Sequence, residues 1–240
     1  MPFSQIQFEE AGGDWAIGYY CNRILQEVAA TRQDCVDRAD YKASSLAWKF
    51  AILRQCLTYR VVDLVESTMT AWGAGKWLSA IVIGRSVLET VALVHYVETQ
   101  ARKHLDAKEL EKLDQLAMRE IYSAKAGDYL LDEKFVATNI LSALERFDKA
   151  VPAVRQYYDT LSEYAHPNAK GHYLLYGKLD KNERSVNFSP EQTRARGTVR
   201  HVTSACLGII WAQLSLANLD QIITEISATS GDATNSKVKA

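Results

Sequence analysis

Along residues 77–97 apolar positions follow one another with almost no polar relief: Trp-Leu-Ser-Ala-Ile-Val-Ile-Gly-Arg-Ser-Val-Leu-Glu-Thr-Val-Ala-Leu-Val-His-Tyr-Val. A helix that is apolar on nearly every side is buried on most of its faces. Its length would also suit a membrane. However, Arg85 and Glu89 stand at its middle and His95 follows, and charges at that depth are rare in a spanning helix. The stretch reads as the central helix of a soluble bundle, with two ionisable side chains turned to the core.

The flanking patterns supply the other helices. Asp14 is placed to cap a helix over residues 14–38, with Trp15, Tyr19, Ile24, Leu25 and Val28 as its stripe. Ser44 or Ser45 caps a second, over 46–72, in which Leu46, Phe50, Leu53, Leu57, Val61, Leu64 and Val65 recur at helical spacing. Gly73-Ala-Gly75 separates it from the central helix. Asp106 then caps a charged outer helix over 106–131, with the narrow stripe Leu110, Leu113, Leu116, Ala117 and Ile121. Shorter helices follow over 133–149 and from Pro152 to about Ala165.

At His166-Pro-Asn168 the helical pattern must stop, because the residue before proline is pushed out of the α region. Tyr173-Leu-Leu-Tyr and Ser185-Val-Asn-Phe flank Asp180-Lys-Asn, which predicts a small β-hairpin inside residues 171–189. Pro190 and Glu191 open the last helix, with Val199, Val202, Cys206, Ile209, Ile210, Leu214, Ile222, Ile223 and Ile226 at core spacing. The expectation is an all-α, up-down helical bundle over residues 14–228 with one hairpin insertion. A flexible arm over 1–13 precedes it, and a disordered tail over 229–240 follows.

Composition narrows the setting. The net charge of −1 over 240 residues gives no global pull toward nucleic acid or membrane, so any such surface is local. Cys21, Cys35, Cys56 and Cys206 lie far apart in helical patterns without CxxC spacing, as reduced core thiols of a cytoplasmic protein do. No basic segment followed by an apolar run opens the chain, so no signal peptide is expected. No P-loop, GxGxxG, GxSxG or HExxH is present, and no cofactor is implied.

Three constellations could carry chemistry. Arg85 and Glu89 share a helix face one turn apart, as a site pair or as an ion pair fixing helix registry. Ser162, Glu163 and His166 fall within about one turn at a helix end with Asn168 behind them, as a site or as a C-terminal cap. Glu163 and His166 also have the Glu-x-x-His spacing of di-iron bundles. No other histidine has a glutamate three residues before it, so a metal enzyme is a remote third reading and no metal ligands are assigned. Finally, residues 166–201 hold seven Lys/Arg against three Asp/Glu, an excess of four: Lys170, Lys178, Lys181, Arg184, Arg194, Arg196 and Arg200 against Asp180, Glu183 and Glu191. With His172 and the interleaved Tyr173, Tyr176 and Phe188, this suits a phosphate-binding surface with stacking platforms, or a solvated loop.

Gly84-Arg-Ser-Val-Leu-Glu-Thr90 and Leu161-Ser-Glu-Tyr-Ala-His-Pro-Asn168 resemble motifs of bacterial helical proteins akin to the HEPN superfamily, across residues 61–171. That superfamily was first described as nucleotide-binding, and many of its members are RNases. In its catalytic members an arginine and a histidine four to six residues apart act on RNA, usually across a dimer interface. His166 corresponds to the histidine, but Thr160 and Leu161 stand where the arginine belongs. Either Arg85 completes the site in space, or Arg196 and His201 form the pair instead. The resemblance implies a homodimer and two readings. One is a metal-independent RNA-binding or RNA-cleaving protein of toxin or phage-defence type, with Arg85, Glu89, His166 and Asn168 at its site. There a histidine would act as general acid or base and an arginine would stabilise charge on phosphate. The other is a non-catalytic module that binds a nucleotide or a partner protein, its polar cluster structural.

Overall fold

The computed structural model describes residues 3–123, 136–188 and 195–236, with backbone only at Leu174, Ala195, Arg196, Thr198 and 230–236. The order is α1 (Gln5–Glu10), α2 (Trp15–Ala29), a 3-10 turn (Arg38–Tyr41), α3 (Ser45–Gly73), α4 (Trp77–Asp106), α5 (Leu110–Tyr122), α6 (Ile140–Ala150), α7 (Val154–Ala165), the single turn α8 (Tyr173–Tyr176), β1 (Gly177–Asp180), β2 (Ser185–Phe188) and α9 (Ala195–Ser236). This is an all-α bundle carrying one small antiparallel hairpin.

The long hairpin of α3 and α4 is set by local chemistry. Ser44 Oγ accepts from Ala47 N at the start of α3. At its end Gly75 takes φ +70°, Gly75 N donates to the Trp72 carbonyl and Lys76 N to that of Ala71, which closes the helix in a Schellman turn. The same bonds recur after α4, where Lys108 takes φ +56° and Glu109 N donates to the His104 carbonyl. Asp106 is therefore the last residue of α4 and not the cap of α5, as the sequence had suggested. The central helix is longer than its apolar run because the turn residues lie beyond Asp106.

α4 is the axis of the molecule, packing against α3, α5, α6, α7 and α9. Gly84 brings it close to Ala205 of α9 and Thr68 of α3, and Gly208 meets Val91. Further along, Asn218 Nδ2 donates to Glu98 and Arg102 pairs with Glu225, so α4 and α9 run parallel. α4 and Val199–Thr229 within α9 are each long and apolar enough to cross a membrane. Here they form the core pair, each with about half its apolar window buried.

Several boundaries differ from the sequence reading. The arm expected to be loose carries α1, and Phe3 and Phe8 are buried against Trp72 with ring centres 5.6 and 5.7 Å away. Asn22 brackets the Phe3 backbone with two 3.2 Å hydrogen bonds. α2 stops at Ala29, nine residues short of Arg38, because α3 captures the following loop: Arg54 and Gln55 both donate to the Thr31 carbonyl, and Trp48 Nε1 donates to Val36. Cys35 consequently lies exposed in that loop and Cys56 is exposed on α3, whereas Cys21 and Cys206 are core. The first strand is Gly177–Asp180, and Tyr173–Tyr176 is a helical turn before it. α9 continues to Ser236, through the first part of the expected tail. The expected helix starts at Glu133 and Pro190 lie outside the described residues.

Candidate functional site

Arg85 and Glu89 do meet, at 3.3 Å, with side chains 32% and 24% exposed. A third residue holds both of them. Tyr158 of α7 accepts from Arg85 Nε and Nη2, at 3.2 and 2.9 Å, and donates to Glu89 Oε1 at 3.0 Å. The cluster is thus a closed three-residue network tying α4 to α7. Half-burial makes it less costly than the core ion pair the sequence suggested, and every charge in it is answered.

His166 stands elsewhere. It follows the last residue of α7 and is exposed, eight residues past Tyr158, or about 12 Å along the helix axis. No hydrogen bond or ion pair among the described residues joins it to Arg85 or Glu89. Asn168 acts as a loop closer: its Oδ1 accepts from Lys170 N and Gly171 N at 3.0 Å, and its Nδ2 donates to Glu163 at 3.2 Å. Glu163 is thereby engaged with Asn168. Gly171 is required here, because an added Cβ would stand 1.9 Å from the His166 carbonyl oxygen.

Of the alternative pair Arg196 and His201, only the histidine's side chain lies among the described residues. His201 on α9 packs its ring 5.9 Å from that of Tyr164, and its Nδ1 is buried without a hydrogen-bond partner. Arg196 lies in the same helix, and its side chain lies outside the described residues, as does the whole of Arg194. Burial pushes the His201 pKa down, and the positive charges of Arg200 and Lys170 push it the same way. His95, against the Phe147 ring at 5.3 Å, is lowered by burial and partly restored by Glu98.

This has a measurable consequence. Both rings take up a proton less readily folded than unfolded, so the unfolded chain binds more protons as pH falls below the ordinary 6.5. Stability is complete above that value and is lost as pH falls from it toward the folded values. Glu109 and Glu225, held low by hydrogen bonds from Lys112 and Arg102, act only below their ordinary 4.5. A urea midpoint lower at about pH 5.5 than at about pH 7.5, with a smaller drop in His201→Gln, is the expected result. An equal drop in the variant would remove His201 from the effect.

The cationic residues gather on the α7–α9 connection. In the hairpin Lys178 faces Asn187, and the turn after Asp180 presents Lys181 and Arg184 to solvent. Lys170, His172 and Arg200 are exposed as well. On the other face of the hairpin, Leu179 is paired with Val186, and Phe188 is 71% exposed beside them. One short segment therefore carries charge and an exposed aromatic ring, with Lys178 and Phe188 on opposite faces of the hairpin. Among the described residues no group of three or more His, Cys, Asp or Glu gathers as a metal site. Sequence reasoning missed Tyr158, although its place one turn before Ser162 puts it on the packed face of α7.

Comparisons with protein-family models, curated proteins and solved structures find no match to this chain.

Proposed function

We propose that this chain is an RNA-binding helical module of HEPN-like type that acts without cleaving, as a cytoplasmic homodimer. The observation that carries the reading is the commitment of Arg85 and Glu89 to Tyr158, about two turns of α7 before His166. An arginine so engaged is spent on packing two helices, and among the described residues no hydrogen bond joins it to the exposed histidine. The exposed Lys170, Lys178, Lys181, Arg184 and Arg200, together with the exposed Phe188, supply contacts of the kind that single-stranded RNA takes.

Fluorescence anisotropy with labelled single-stranded RNA tests this. With about five phosphate contacts, affinity falls roughly a hundredfold between about 50 and 200 mM salt. Charge reversal at Lys170, Lys178 and Lys181 together weakens binding by at least about tenfold. His166→Ala binds as the parent does, whereas Glu89→Ala loses about 1–3 kcal/mol of stability. Metal-free RNA cleavage that His166→Ala abolishes would replace this reading with a nuclease of toxin or defence type. Absence of any RNA binding would leave a module for a nucleotide or partner protein.

A further inference from the structure

About 28 Å along α9 from His201 lies a second, unrelated feature. A cleft of about 450 Å³ opens between the α2–α3 connection and the second half of α9, lined among others by Thr31, Arg32, Arg54, Gln55 and Asp220. Its size falls within the usual range of small-molecule sites, about 300–1,000 Å³.

We propose that this cleft binds a small hydroxylated oxyanion: a phosphate or carboxylate carried on a short polyol skeleton. The argument is one of donors and acceptors. The Arg54 side chain is only 7% exposed, beside the buried polar residues Gln55 and Thr58. A guanidinium carries five N–H groups. Arg54 Nη1 donates to the Thr31 carbonyl at 3.0 Å and Nη2 to Asp220 Oδ2 at 3.0 Å, while its Nε is buried with no partner. Buried polar groups are nearly always answered, and this one is under-answered.

Neither acceptor that Arg54 meets, the Thr31 carbonyl or Asp220 Oδ2, is bonded to its Nε. The Thr31 carbonyl already takes a second bond, from Gln55 Nε2 at 3.3 Å, which fills its two lone pairs. Arg32 stands at the mouth, its Nε held by the Ala29 carbonyl and its guanidinium 5.4 Å from the Tyr59 ring centre. Two guanidiniums against one carboxylate leave the cleft cationic by one charge. A cleft with that net positive charge and an unanswered guanidinium N–H selects a ligand that brings acceptors, and oxyanions bring the most per atom. Asp220 Oδ1, unpartnered among the described residues, then takes a ligand hydroxyl.

Isothermal titration calorimetry on the full chain tests the proposal with inorganic phosphate, glycerol 3-phosphate, glycerate and glycerol. Glycerol 3-phosphate or glycerate is expected to bind, whichever does so identifying the head group, and glycerol is not. Arg32→Gln, at an exposed position whose own ties are the Ala29 carbonyl and the Tyr59 ring, is expected to weaken that ligand at least about tenfold. Asp220→Asn is expected to weaken the hydroxylated ligand while strengthening inorganic phosphate, since it removes the competing carboxylate. No heat with any anion at millimolar concentration, or equal affinity in Arg32→Gln, overturns the proposal. RNA binding at the far end of α9 is read separately, so either site can fail alone.

Discussion

Trp72→Ala is expected to cost about 3–5 kcal/mol, close to the upper end for a single core truncation. Trp72 is 1% exposed and is the surface on which Phe3, Phe8 and Trp77 all pack, with ring centres 5.3–5.7 Å away. Removing the indole takes away the wall that holds α1, so the loss includes the arm as well as the cavity. The arm's own ties, the Asn22 bracket and Gln7 donating to the Gly73 carbonyl, are few. Urea denaturation reads the total, and limited proteolysis reads early cleavage within residues 3–13. Trp72→Phe is the control, because the indole Nε1 has no hydrogen bond to lose. A Trp72→Ala loss below about 1 kcal/mol, or an arm still protected, would mean that α1 is held by something else.

Gly171→Val is expected to be the second most damaging change, at about 2–3 kcal/mol, and to act locally. Its side chain would collide with the His166 carbonyl oxygen and sit 2.8 Å from that of Tyr164. Both are main-chain atoms at the end of α7, so relief requires the loop to open. Opening also breaks the pair of bonds from Lys170 N and Gly171 N to Asn168. Asn168→Ala, which loses the bonds without the collision, is expected to cost about 1 kcal/mol. Thermal melts order the two variants, and RNA anisotropy should fall for Gly171→Val because Lys170 loses its placement. Equal stability of Gly171→Val and parent within about 0.5 kcal/mol would show that the loop is free to rearrange.

The parts of this molecule that were legible in the sequence are those set within one or two helical turns. Ser44, Asp14 and Gly75 announce ends that the chain respects, and the run at residues 77–97 is indeed the axis of the bundle. The parts that were not legible depend on distant residues. Phe8 lies in a helix too short to show a period and Phe3 just ahead of it, and their burial is decided by Trp72. The end of α2 is decided by Arg54 and Gln55, more than twenty residues later. The candidate site divides in the same way. Arg85 meets Glu89 as the i,i+4 rule requires, and Asn168 closes its turn as its type suggests. Tyr158, which binds the first pair, and Asp220, which meets Arg54 across 166 residues, leave no local pattern.

The parallel pairing of α4 with α9 also has a consequence for how the chain is made. On the ribosome, α3 and α4 emerge as a hairpin whose third wall is still to be translated. About 90 residues separate Asp106 from Ala195, so at roughly 5–20 residues per second the apolar face around Gly84 and Val91 waits roughly 5–20 seconds for α9. During that interval the nascent chain carries two long apolar surfaces with no mate, the condition under which a holding chaperone competes with self-association. Its yield in a cell should therefore follow chaperone supply and elongation rate more closely than the stability of the finished bundle.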